Sequence, residues 1–128
     1  MLSGGKADAG DSNDVKPLLL ASARGHVGAV SLLLARGAHP EARGPDKSSA
    51  LHAACARGLT DVAEVLLERG ARIDAMDSSD RTPLYLAVSR GHELTAQMLI
   101  GRGARINLEE IHGLDYYFDH LADLRLDF

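Results

Sequence analysis

One period governs this chain. Slid against itself, the sequence matches at an offset of 33 residues: ARGH at 23–26 returns as ARGL at 56–59 and as SRGH at 89–92. At the same offset LLLARGAH (32–39) returns as VLLERGAR (65–72) and MLIGRGAR (98–105). Both halves of the unit therefore repeat in register. Three full copies result, 11–43, 44–76 and 77–109, flanked by residues 1–10, expected to be flexible, and by a degenerate remainder, 110–128. A unit this short cannot bury its own apolar face, so the copies must stack and share one continuous core.

Each copy reads as a helical hairpin. In the third, Thr82 can cap the first free amides of a helix, and Pro83 stands at the first helical position, where its missing N–H costs nothing. Leu84, Ala87 and Val88 form the apolar stripe, and Gly91 supplies a left-handed residue that stops the helix. A second helix follows with Leu94, Met98 and Leu99 expected on its buried face, and Gly103 ends it. Ala21, Ala54 and Ala87 recur at one position, small enough to let neighbouring helices approach closely. The expected fold class is all-α, a solenoid of stacked helix-turn-helix units.

RTPLYLAVSRGH followed by AQMLIGRGARIN, and LHAACARG followed by VAEVLLERGARIDA, resemble the ankyrin-repeat family. The resemblance covers the three copies and implies β-turn or hairpin-like loops between the helical units. Copy one departs from it, with KPLLLASARG where the family has TPLHLAA, and Leu18 to Leu20 are expected to leave apolar surface at that end. Copy two carries Ser49 and Ala50 in place of Thr-Pro, and Lys47 where the family has a turn glycine. Residues 110–128 restart the pattern at EIHGLD and then diverge. Leu114, Tyr117, Phe118 and Leu121 fall on one side of an expected acidic C-terminal capping helix, with Asp115, Asp119, Asp123 and Asp127 along a solvated stripe.

Catalytic chemistry finds no support in the pattern. His26 and His92 occupy the Gly-His position after the first helix and His52 the Leu-His position, where the resemblance implies local hydrogen bonding. His52 and Cys55 lie three apart, but no second pair stands at zinc spacing, so no metal is expected. Cys55 aligns with Ser22 and Val88 and reads as a small buried hydrophobe. The glycines belong to helix stops rather than to a phosphate loop, so no cofactor is expected either. A single cysteine excludes an intramolecular disulfide, which with no secretory leader pattern points to a reducing, intracellular compartment, cytoplasmic or nuclear. No apolar stretch approaches the roughly 20 residues needed to span a bilayer.

The resemblance instead implies a non-catalytic protein-protein interaction module or scaffold. Its binding positions would be the turn tips and the inner, concave face of the first helices. In copy one these are Ser12, Asn13, Val15, Arg24 and Arg43; in copy two Pro45, Asp46, Ser48, Arg57 and Met76; in copy three Ser78, Ser79, Arg81 and Arg90. Arg24, Arg57 and Arg90 occupy one position in all copies and would align roughly 10 Å apart, the spacing of packed helices. Arg36, Arg69 and Arg102 form a second row. Cations at a helix C-terminus meet the macrodipole favourably, which accounts structurally for either row. The first row also suits an acidic protein or peptide, because guanidinium forks match carboxylates.

Nucleic acid is disfavoured, since residues 11–109 carry 12 basic against 12 acidic side chains and present no net basic field. The acidic segment 110–128 could alternatively fold back on the arginines as a self-block. Other readings within the resemblance are a regulatory inhibitor of a partner enzyme such as a kinase and, ranked lower, a ubiquitin-ligase adaptor or a nucleic-acid-associated cofactor. The chain is expected to be a monomer or a weak end-to-end oligomer, the latter if Leu18 to Leu20 meet the Tyr117, Phe118, Leu121 face.

Overall fold

The computed structural model describes residues 12–106, with side chains described from Pro17 onward. The described residues form α1 (Ser12–Ala23), α2 (Val27–Ala35), α3 (Ala50–Ala56), α4 (Thr60–Glu68), α5 (Pro83–Ser89) and α6 (Glu93–Gly101). Each copy contributes one antiparallel pair. Across copies, α1 packs on α3 and α3 on α5, while α2 packs on α4 and α4 on α6, so the first and second helices form two layers. The terminal segments 1–10 and 110–128, including the expected capping helix, lie outside the described residues.

The caps explain where the first helices begin. Thr82 accepts a hydrogen bond on its hydroxyl from the Tyr85 amide at 3.1 Å, and Pro83 follows at the first helical position. Copy two reaches the same result with other residues: Ser49 accepts from the His52 amide at 3.2 Å while the Ser49 amide donates back to His52 Nδ1 at 3.2 Å. This reciprocal box fixes the helix start and the imidazole together. The helices stop where Gly58 and Gly91 adopt φ of +72° and +79°, a region that costs other residues roughly 1–2 kcal/mol.

Copy one differs. Residues 12–16 continue the helix in place of a loop, so α1 is 12 residues long against 7 for α3, and Pro17 lies inside it. The expected turn tip at Ser12, Asn13 and Val15 is therefore the opening of a helix. The expectation for Leu18 to Leu20 is also corrected: Leu18 is wholly buried, Leu19 is half-buried and only Leu20 stands out, 51% exposed.

The core runs through all three copies. Leu18, Val30, Leu51, Val62, Leu66, Leu84 and Leu99 are buried along it, each contributing about 1.5–3 kcal/mol of transfer free energy. Ala54 and Ala87 are fully buried where first helices meet, and Ala21 nearly so. On α6 the buried face is Thr95, Ala96, Leu99 and Ile100, and Leu94 points away at 73% exposure. Five residues separate Leu94 from Leu99, which on a helix places them roughly 140° apart. Leu94 therefore cannot share the face that Leu99 buries.

Polar contacts keep the repeat register. The Glu41 carboxylate accepts from the Arg72 amide, and one copy later Asp74, at the equivalent position, accepts from the Arg105 amide at 2.9 Å. Thr60 and Thr95 hydroxyls meet at 2.7 Å between α4 and α6. No helix among the described residues is long and apolar enough to cross a membrane.

Candidate functional site

The loops that precede α3 and α5 carry most of the expected binding positions, and they are held from within. In the first, the Gly44 amide donates to the Ser48 carbonyl at 2.8 Å, closing a tight turn flanked by an Arg43–Ser49 bridge. Asp46 and Lys47, in its middle, have φ of 62° and 57°. Both are left-handed without being glycine, and Lys47 carries the larger penalty because aspartate tolerates this region better. In the second loop Asp80 takes the same role with φ of 60°.

Arg43 ties the two loops together. Its Nη1 donates to the Lys47 carbonyl at 2.7 Å and to the Met76 carbonyl, 33 residues on, at 2.8 Å. The Ser78 amide donates to the Asp46 carbonyl at 2.9 Å, a second link between the tips. Arg81 is likewise engaged. Its Nε donates to Asp77 Oδ2 at 3.0 Å, while the other carboxylate oxygen accepts from the Ser79 and Arg81 amides, each at 2.9 Å. Burial alone would raise the Asp77 pKa, but these donors and the guanidinium outweigh it and hold the carboxyl below its ordinary value.

Of the expected binding residues, Pro45, Asp46, Met76, Ser78 and Ser79 are exposed at the loops, and Ser48 is half-buried. Arg43 and Arg81 are half-buried and spend their donors inside the protein. Ser12, Asn13 and Val15 fall in the first turns of α1, where side chains lie outside the described residues. Arg24, Arg57 and Arg90 are exposed at the C-terminal ends of α1, α3 and α5, and no ion pair to them occurs among the described residues. In the second row Arg102 reaches Glu68 at 3.5 Å, whereas Arg36 and Arg69 cap α2 and α4.

The histidines divide between structure and solvent. His52 is buried, and because a carbonyl only accepts, its Nε2 must donate to the Arg81 carbonyl 2.8 Å away, leaving Nδ1 as acceptor for the Ser49 amide. Burial pushes its pKa below the usual imidazole value despite that carbonyl and Asp77, which favour the cation. His92 Nε2 donates to the Ala56 carbonyl of the preceding copy at 3.0 Å. His26 is exposed. Cys55 is buried, and desolvation pushes its thiol up to about 12, which favours the protonated form over the nucleophilic thiolate. Among the described residues no cluster of His, Cys, Asp and Glu is arranged to hold a metal ion.

A feature outside the expected set is the position occupied by Leu20, Ala53 and Leu86 in the three copies. The middle copy is two sizes smaller than its neighbours there. The signal was available in the alignment of the copies, but only as a gap in a row of leucines.

Comparison with known families gives a match to the model of ankyrin repeats, in 3 copies, over residues 18–110. No curated protein matches the chain.

Proposed function

The chain belongs to the ankyrin-repeat family, whose repeats generally mediate protein–protein interaction, and from that premise we propose that it is a non-catalytic module binding an acidic protein or peptide on its concave face. The observation that carries this reading is the row Arg24, Arg57 and Arg90. One charge type recurs at one position, exposed, while Arg43 and Arg81 in the loops are consumed by internal contacts. The row would present three planar donors to carboxylates at the spacing of the stack.

The test is affinity capture from the source cell with mass spectrometry, comparing the wild-type chain with Arg24→Ser/Arg57→Ser/Arg90→Ser. Each arginine ends a helix, so the triple change costs roughly 1–3 kcal/mol in stability, and capture is run well below both melting temperatures. Partners lost only from the variant support recognition by the row. Identical partner sets refute it.

A further inference from the structure

The strongest unexplained surface lies between the first two copies. Leu19, Leu20 and Ala23 of α1, Pro45 and Ser48 of the loop, and Ala53 of α3 line an open groove of about 440 Å³. Ser48 is its one polar residue among the described residues. Position 53, which lines the groove, holds alanine where the flanking copies hold Leu20 and Leu86. Leu20 is 51% exposed on its wall, a large apolar surface that the fold leaves to water.

The wall opposite is rigid. Hydrogen bonds from the Gly44 amide, the Arg43 guanidinium and the Ser78 amide pin the loop through the Ser48, Lys47 and Asp46 carbonyls. Asp46 and Lys47 hold successive left-handed conformations between Pro45 and Ser48, so strain is kept at the groove's lip. A preformed wall lowers the ordering cost of binding. Charge then specifies the occupant. Arg24 follows Leu20 by four residues and Arg57 follows Ala53 by four, so each arginine stands one helical turn beyond a groove residue on the same helix face.

Building on the binding-module reading above, we infer that this groove receives an aliphatic or aromatic anchor side chain of an acidic peptide segment, whose carboxylates pair with Arg24 and Arg57. One helical turn is about 5.4 Å, and an extended peptide rises about 3.3 Å per residue. An extended ligand therefore places its acid one or two residues from the anchor. Covering Leu20 while burying the anchor is worth roughly tenfold or more in affinity.

Selection of a random-peptide library, displayed on phage, against the full-length chain tests the inference. The wild type should enrich sequences with Leu, Ile, Met or Phe one or two residues from Asp or Glu. Ala53→Leu fills the groove with the side chain its neighbours carry, and should lose the apolar preference while keeping the acidic one. Leu20→Gln, at an exposed position that does not threaten folding, should weaken the same preference. Arg24→Ser/Arg57→Ser should lose the acidic preference. Unchanged apolar enrichment on Ala53→Leu overturns the groove while leaving the arginine row of the proposed function standing. Acidic enrichment that persists on Arg24→Ser/Arg57→Ser overturns the inference, and acidic enrichment that persists on Arg24→Ser/Arg57→Ser/Arg90→Ser overturns the proposed function as well. A dimer of the wild type that Ala53→Leu abolishes, seen by sedimentation, would give the groove to a second copy and also overturn the inference.

Discussion

Gly58 should be the most sensitive helix stop in the stack, and the reason can be separated into two parts. A Cβ built on Gly58 falls 2.5 Å from His92 Nδ1 and 2.8 Å from its Cγ, whereas one built on Gly91 meets nothing within 4 Å among the described residues. Both glycines have positive φ, so each alanine substitution carries a backbone penalty of about 1–2 kcal/mol. Gly58→Ala must in addition displace the His92 ring and its 3.0 Å hydrogen bond to the Ala56 carbonyl. That bond is worth about 1 kcal/mol. The expected losses are therefore about 1–2 kcal/mol for Gly91→Ala and about 2–3 kcal/mol for Gly58→Ala. Urea denaturation followed by circular dichroism measures both. A double-mutant cycle isolates the steric part: in a His92→Ala background Gly58→Ala should cost no more than Gly91→Ala does in the wild type. Equal losses for the two glycines in the wild type would refute the reasoning.

Three further outcomes follow from single residues. Ser22 is fully buried with its hydroxyl unpartnered, where the other copies hold Cys55 and Val88, so Ser22→Ala should stabilise the chain by about 1 kcal/mol in thermal or urea melts. Lys47→Gly should stabilise by roughly 0.5–1 kcal/mol, since it removes left-handed strain at φ of 57° and glycine's extra unfolded freedom offsets only part of the gain. His52 has a depressed pKa, so the unfolded chain takes up its proton first as pH falls: the stability it contributes is present above the ordinary imidazole value of 6.5 and is lost as pH drops below it toward the folded value. Comparing the wild type with His52→Gln at about pH 8 and about pH 5 should show the larger acid loss in the wild type, and parallel pH profiles would dismiss the assignment.

The helical hairpins were legible because they rest on spacings: Thr82 and Pro83 at a start, Gly91 at a stop, and alanines 33 residues apart at the contacts. What was not legible depends on partners distant in sequence. Arg43 looked free until Met76 and Lys47 supplied carbonyls to its guanidinium, and Arg81 until Asp77 folded beneath it. The turn tip expected at Ser12, Asn13 and Val15 was transferred from later copies, but the position equivalent to Ser78, whose amide bonds the Asp46 carbonyl, is Pro45 in the next copy, which has no N–H to give. Leu94 was assigned inward by residue type, whereas the helix phase set by Leu99 turns it to solvent.

Periodicity also bounds where specificity can reside. Whatever the stack itself requires must recur along it, as the buried alanines do in every copy and the Glu41 and Asp74 links at both junctions between copies. A residue that breaks the row without stabilising the stack is therefore a candidate for work outside it. Ser49 and Ala50 break the Thr-Pro pattern, yet Ser49 with His52 rebuilds the cap, so the departure answers to the fold. Ala53 breaks the leucine row and rebuilds nothing: it lines an apolar groove beside the half-exposed Leu20 and near two exposed arginines. Lys47 keeps a strained turn at the rim of the same groove where a glycine would relieve it. Two departures from the repeat converge on one surface, and that convergence, more than the arginine row alone, is why the proposed recognition is placed at the junction of copies one and two.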